Sequence, residues 1–162
     1  MRTVLALAAA VLLCSACGGA RSNAVVASFY PLAWAAGPGT LDLTPPGAEP
    51  HDVELTPRQV AEVQRARVVL YLGGGFQPSV ERAVRDTRGL ALDLSSTRDP
   101  HVWLDPVRFA AIVRRAGLEL NRSTERQEAI LRGIDARYRT GLAHCARRTI
   151  VTTHAAFGYL AR

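Results

Sequence analysis

Apolar residues alternate along the chain between short unbroken runs and longer segments in which they recur every three or four positions. Short valine-rich runs bounded by glycine, proline or polar residues predict buried strands. Longer segments predict amphipathic helices, as in the spacing of Ile130, Leu131, Ile134 and Tyr138. The predicted strands comprise residues 25–29, 40–43, 68–72, 91–94 and 149–153. The predicted helices comprise residues 32–36, 57–65, 78–86, 106–120 and 124–143, and a further helix begins at residue 155.

Two of these helices have clear start signals. Thr56 can cap a helix in which Pro57 takes the first position and Gln59 completes a capping box. Asp105 precedes Pro106 at another helix start, which predicts a cap rather than a metal ligand. Because strands alternate with helices, we expect a three-layer α/β fold with a mostly parallel sheet flanked by helices. Such folds bind ligands beyond the carboxyl ends of their strands.

The first residues of the chain have the pattern of an export signal. Arg2 supplies a positive charge, residues 4–13 form an apolar run too short to span a bilayer, and small residues precede Cys17. This order resembles the lipobox of bacterial lipoproteins, which implies lipidation of Cys17 and anchoring to the outer face of the cell membrane. An ordinary secretory signal with a chance cysteine is the alternative. Cys145 is left without a partner, and we expect it to be a buried apolar residue.

The net charge of +6 is carried by arginine alone, since the sequence contains no lysine. The arginines are scattered and no aromatic residues interleave with them, so the charge does not indicate a nucleic-acid partner. Residues 73–75 are three glycines between a predicted strand and a predicted helix, but no Gly-Lys-Ser/Thr follows. They predict a turn near a cleft rather than a nucleotide site.

The four histidines are the main candidates for chemistry. His51 and His101 follow prolines in predicted loops, and His154 ends a predicted strand, so all three are expected at one edge of the sheet. Three imidazoles suit zinc, and nitrogen donors favour it over manganese. Their spacing alone does not exclude ordinary surface histidines. His144 is assigned to the predicted helix that ends at about residue 143, and is interpreted as structural or exposed.

Four segments of the chain resemble, in order, motifs of the zinc/manganese class of solute-binding proteins of ABC importers. They are residues 25–32 (VVASFYPL), 50–57 (PHDVELTP), 99–106 (DPHVWLDP) and 152–159 (TTHAAFGY). The resemblance implies that His51, His101 and His154 bind the metal. It also implies a fourth ligand, a carboxylate, in a second lobe that begins near the end of this sequence.

The same resemblance implies a monomeric metal-binding protein without catalytic residues, which delivers zinc, or alternatively manganese, to a membrane permease. The alternatives are a zinc hydrolase with an open water position and a non-functional remnant of the binding protein. The expected organisation is a signal peptide (1–16), a tether (17–24), an N-terminal metal-binding lobe (25–120), an interlobe helical segment (121–147) and the start of a C-terminal lobe (148–162).

Overall fold

A computed structural model describes residues 24–95, 98–147 and 149–161 of the chain. Within these ranges the backbone forms a four-stranded parallel sheet and five α-helices, which confirms the predicted α/β class. The strands are β1 (Val25–Ala27), β2 (Thr40–Asp42), β3 (Val68–Tyr71) and β4 (Leu90–Asp93). The helices are α1 (Tyr30–Ala36), α2 (Pro57–Arg65), α3 (Pro78–Val84), α4 (Pro106–Leu120) and α5 (Glu125–Leu142).

The strand order is β2-β1-β3-β4, and every neighbouring pair is parallel. At the centre, Val26 is opposite Leu41 on one side and Val69 on the other. Parallel neighbours require crossover connections, which helices supply. All four strands therefore end at the same edge of the sheet, and the segments that follow them meet there.

The two faces of the sheet carry separate hydrophobic cores because successive side chains of a strand point in opposite directions. Val25 and Ala27 pack towards α1, α4 and the buried Leu131 of α5. Val26 and Val69 pack on the opposite face against residues of α2 and α3. The result is the predicted three-layer arrangement.

Helix starts agree with the sequence signals. The Thr56 hydroxyl accepts a hydrogen bond from the backbone N–H of Gln59, whose side chain in turn accepts from the Thr56 N–H, so the capping box is confirmed. Asp105 Oδ1 accepts from the backbone N–H groups of Val107 and Arg108, which confirms its capping role. These caps satisfy amide groups that a helix end otherwise leaves unpaired.

Three predictions for the last part of the chain are wrong. Residues 149–153 do not form a strand and pair with none that the structure describes; Ile150 and Val151 are 66% and 97% exposed. β-branched composition is insufficient here because a strand is stabilised by a neighbour and by burial. Instead of a helix from residue 155, a single turn forms, with the Ala161 N–H donating to the Phe157 carbonyl. Cys145 is exposed rather than buried, because it lies just beyond the exposed end of α5.

The remaining expectations concern exposure and targeting. His144 is exposed, one of the two expected outcomes, but it lies two residues after the last residue of α5 rather than within a helix. Cys17 and the proposed signal peptide lie outside the described residues. Among the helices that the structure describes, none combines the length and apolar character needed to cross a bilayer.

Candidate metal centre

Three imidazoles that are distant in sequence meet beyond the carboxyl ends of the strands. One ring nitrogen from each of His51, His101 and His154 lies within 4.8 Å of the other two. His51 Nε2 and His101 Nε2 are 3.3 Å apart, and the His154 ring centre is 6.0 Å and 5.4 Å from those of His51 and His101. The structure thus brings together the three predicted residues and leaves His144 outside the described cluster.

His51 is held by residues that follow β3. It lies in a 3-10 turn, Pro50–Asp52, and its ring meets the edge of the buried Phe76 ring at a centroid distance of 4.6 Å. The neighbouring Gln77 is fully buried, and its Nε2 donates to the Pro50 carbonyl at 3.0 Å. The turn that carries the ligand is therefore fixed both by aromatic packing and by a hydrogen bond to its backbone.

Gln77 is the centre of a buried polar cluster behind His51. Its amide also contacts the Ser28 carbonyl at 3.4 Å and Thr44 Oγ1 at 3.3 Å, so it links the ends of β1 and β2 to the 3-10 turn. Thr44 Oγ1 in turn donates to the Ser28 carbonyl at 2.7 Å. Gln77 could not be identified from the sequence, because its side chain contacts residues 27 to 49 positions away and no local pattern reveals such contacts.

His101 is the most buried of the three imidazoles, with 7% of its surface exposed. Asp99 Oδ1 accepts a hydrogen bond from the His101 backbone N–H at 3.1 Å and lies 2.8 Å from Nδ1 of the ring. An ionised carboxylate can only accept, so Nδ1 carries the proton, and in the neutral imidazole the lone pair is then on Nε2, the nitrogen nearest to His51. Carboxylate–histidine pairs of this kind orient the imidazole ligands of metals.

Asp99 begins the motif at residues 99–106, but the sequence assigned it no role of its own. A carboxylate two residues before a histidine is a signal that would have identified it, because short polar side chains commonly bond to backbone N–H groups two residues on. Asp52 and Glu49, the acidic residues beside His51, are both exposed.

His154 differs from its partners in its surroundings. It is exposed and belongs to an irregular segment, residues 149–155, that is exposed throughout its described length. The His154 carbonyl accepts hydrogen bonds from Thr152 Oγ1 at 2.8 Å and from the Ala156 N–H at 2.9 Å, so the local turn is well defined. The histidine predicted at a strand end therefore reaches the site from a loop.

In the glycine turn at residues 73–75, the first and third amides donate to carboxylates. The Gly73 N–H donates to Asp93 Oδ1 at 3.0 Å, and the Gly75 N–H donates to Glu81 Oε1 at 2.8 Å. A phosphate would have to displace these negative groups from the donors it requires. The turn leads instead to Phe76 and Gln77, the residues that position His51.

Three neutral imidazoles around one point suit a divalent ion that accepts nitrogen ligands. Zinc takes four ligands in a tetrahedron, with zinc–nitrogen distances of about 2.0–2.1 Å. Three histidines fill three of these positions and leave the fourth for water or another ligand.

Comparison with known proteins places this architecture in a family. The sequence model described as "ZnuA: Zinc-uptake complex component A periplasmic" matches residues 25–162. The high-affinity zinc uptake system protein ZnuA of Bacillus subtilis is 27% identical, in a match covering 96% of this chain and 66% of that protein.

Two solved structures have the same fold. The Zn(II)-bound ZnuA-like domain of Streptococcus pneumoniae AdcA gives a TM-score of 0.71 at 26% identity, over 86% of this chain and 63% of that chain. The metal-dependent lipoprotein YcdH of Bacillus subtilis gives a TM-score of 0.73, also at 26% identity, with the same coverage of both chains. This chain spans no more than about two thirds of the length of these three relatives. Since the family match extends over nearly all of the described residues, the chain belongs to the family of periplasmic zinc-uptake components.

Proposed function

We propose that this protein captures zinc outside the cytoplasm through His51, His101 and His154 and presents it to the permease of an ABC importer. The 3.3 Å separation of His51 Nε2 and His101 Nε2 carries the proposal. Two nitrogens bound to one tetrahedral zinc ion lie about 3.3 Å apart, given zinc–nitrogen distances of about 2.05 Å. The His51–His101 pair therefore has the spacing expected of two ligands of one zinc ion, which supports the proposal.

Zinc is the proposed cargo, with manganese as the alternative. Nitrogen donors bind zinc more strongly than manganese, which follows from the Irving–Williams order. The Bacillus subtilis relative is described as a zinc uptake protein, and the pneumococcal domain was solved with Zn(II) bound. Both observations support zinc for this chain.

We further propose that residues 25–120 form the metal-binding lobe and that residues 121–147, which contain α5, link it to a second lobe beginning at residue 148. The fourth ligand would then be a carboxylate of that lobe, as the motif resemblance implies. A carboxylate at the open position would supply a negative charge that water lacks and so would strengthen binding.

Export and anchoring complete the proposal. Cys17 would carry the lipid after removal of residues 1–16, and residues 17–24 would tether a monomeric lobe to the outer face of the membrane. Intact-mass analysis of the cell-derived protein tests this directly. A mass increase matching acyl chains on a chain that begins at Cys17, absent in Cys17→Ala, supports anchoring; an unmodified Cys17 contradicts it.

The metal site is tested by zinc titration of the purified protein against a chromophoric chelator. We expect a single zinc ion per chain, and loss of affinity in His51→Ala, His101→Ala and His154→Ala of at least the roughly 10–100-fold seen when even an outer-sphere partner is removed. His144→Ala is the matched control, since His144 is exposed and outside the described cluster. The site is refuted if the three histidine variants bind zinc as tightly as the native protein and His144→Ala do.

A further inference from the structure

The segment that carries His154 has few buried residues to hold it on the protein. From residue 149 to residue 161, the described residues that are buried are Ala156 and Tyr159, at 4% and 9% exposure. His154 itself is exposed, and so are the residues on either side of it. The position of the His154 ring must therefore depend largely on the contacts of the two buried residues, Ala156 and Tyr159.

Tyr159 is attached to the body of the protein at both its hydroxyl and its ring. Its hydroxyl donates to the Asp99 carbonyl at 3.0 Å, and its ring belongs to the core cluster that includes Phe109 of α4. The Arg108 guanidinium lies over the ring, 4.8 Å from its centre, and pairs with the Asp105 carboxylate at 3.2 Å. A cation over an aromatic face is attractive and further fixes the ring.

The acceptor of this hydrogen bond belongs to the residue that orients His101. The Asp99 side chain binds the His101 ring, and the Asp99 carbonyl binds Tyr159. Gly158 also approaches closely: a Cβ atom there would lie 3.3 Å from Asp99 Oδ2. One residue thus connects the buried imidazole to the segment that carries the exposed one.

We propose that Tyr159 is a positioning residue, whose hydrogen bond to the Asp99 carbonyl holds the His154 segment against the site so that the third imidazole joins the other two. This inference rests on the proposed metal-binding function. When the bond is lost, the segment samples positions away from the site, and ordering it again opposes metal binding.

Tyr159→Phe tests the inference because it removes the hydroxyl and keeps the ring in the core and under Arg108. One lost hydrogen bond should weaken zinc binding by about three- to tenfold. Tyr138→Phe, which removes the hydroxyl of an exposed tyrosine on α5, should leave the affinity unchanged. Thermal unfolding of the metal-free variants shows whether each one folds.

A double-mutant cycle separates positioning from a general structural effect. If Tyr159 acts through His154, Tyr159→Phe should weaken zinc binding in the native background and have no further effect in His154→Ala. The inference is overturned if Tyr159→Phe binds zinc like the native protein, or if the loss is the same in both backgrounds. Failure of the native protein itself to bind zinc through its histidines would instead refute the proposed function.

Discussion

Asp99 and His101 are joined twice, because a single carboxylate oxygen lies 3.1 Å from the backbone nitrogen of His101 and 2.8 Å from its ring nitrogen Nδ1. The first contact shapes the loop, and the second selects the tautomer in which Nε2 is free to bind a metal. The carboxylate is about one third exposed, whereas the ring is almost fully buried. The pair therefore orients a buried ligand from the surface of the protein.

Asp99→Ala should weaken zinc binding by about 10–100-fold, the usual cost of removing a carboxylate that orients a ligating histidine. Asp99→Asn should fall between the native protein and the alanine variant, because an amide oxygen still accepts from Nδ1 but lacks the charge. Competition titration with a chromophoric chelator measures both. Asp52→Ala, which removes an exposed carboxylate next to His51, serves as the control, and a loss of affinity equal to that of Asp99→Ala would contradict this role.

Gln77→Leu should destabilise the protein and loosen the His51 turn. The substitution keeps the approximate volume but removes the donor to the half-buried Pro50 carbonyl, and the loss of one hydrogen bond costs about 0.5–1.5 kcal/mol. Urea unfolding of the metal-free protein measures the change in the free energy of unfolding. Gln127→Leu, a half-buried glutamine on α5, provides the comparison.

Zinc binding by Gln77→Leu should fall as well, because its effect passes through the turn that carries His51. A variant that loses stability without any loss of affinity would show that Gln77 supports the fold alone. Unchanged stability would contradict the importance of the buried cluster.

The extent to which the sequence predicts this structure depends on how local each signal is. The capping box of Thr56 and Gln59 and the valine run of β3 involve residues close in sequence, so the elements they define appear within a residue or two of their expected positions. Parallel strands then dictate that the loops carrying His51 and His101 meet. The fold and the meeting of these two histidines follow from such rules.

Other features depend on contacts between distant residues and were missed. The run at residues 149–153 has strand-like composition, yet it has no neighbouring strand among the described residues, so composition alone misleads. Gln77 gains its role from backbone carbonyls contributed by other loops. The bond from Tyr159 to Asp99 spans 60 positions and has no local signature.

The contact between α4 and α5 should contribute a pH-dependent part of the stability. The Thr124 hydroxyl donates to Glu128 Oε1 at 2.6 Å and the Arg114 guanidinium lies 3.1 Å from Oε2, and both interactions lower the pKa of Glu128 below its ordinary value of 4.5. A carboxyl whose pKa is lower in the folded state stabilises the fold above its unfolded-state pKa. That stabilisation is lost as the pH falls through the folded-state value.

Thermal unfolding of the metal-free protein should therefore show native protein more stable than Glu128→Gln near pH 7, with the difference shrinking as the pH falls below about 4.5. Glu125→Gln, which removes an exposed carboxylate from the same helical turn, should show a smaller difference at neutral pH. The proposed ion pair is contradicted if native protein and Glu128→Gln differ in unfolding temperature by the same amount at all pH values, including those below the folded-state pKa of Glu128.

X-ray absorption at the zinc edge of the loaded protein tests the central claim most directly, because it counts and identifies the atoms around the ion. We predict a shell with three imidazole nitrogens at about 2.0–2.1 Å and the multiple-scattering pattern of histidine rings. In His154→Ala the same spectrum should show two imidazoles. A native spectrum with fewer than three imidazoles would contradict the proposed site. So would a sulfur ligand about 2.3 Å from the zinc, which the exposed Cys145 could supply.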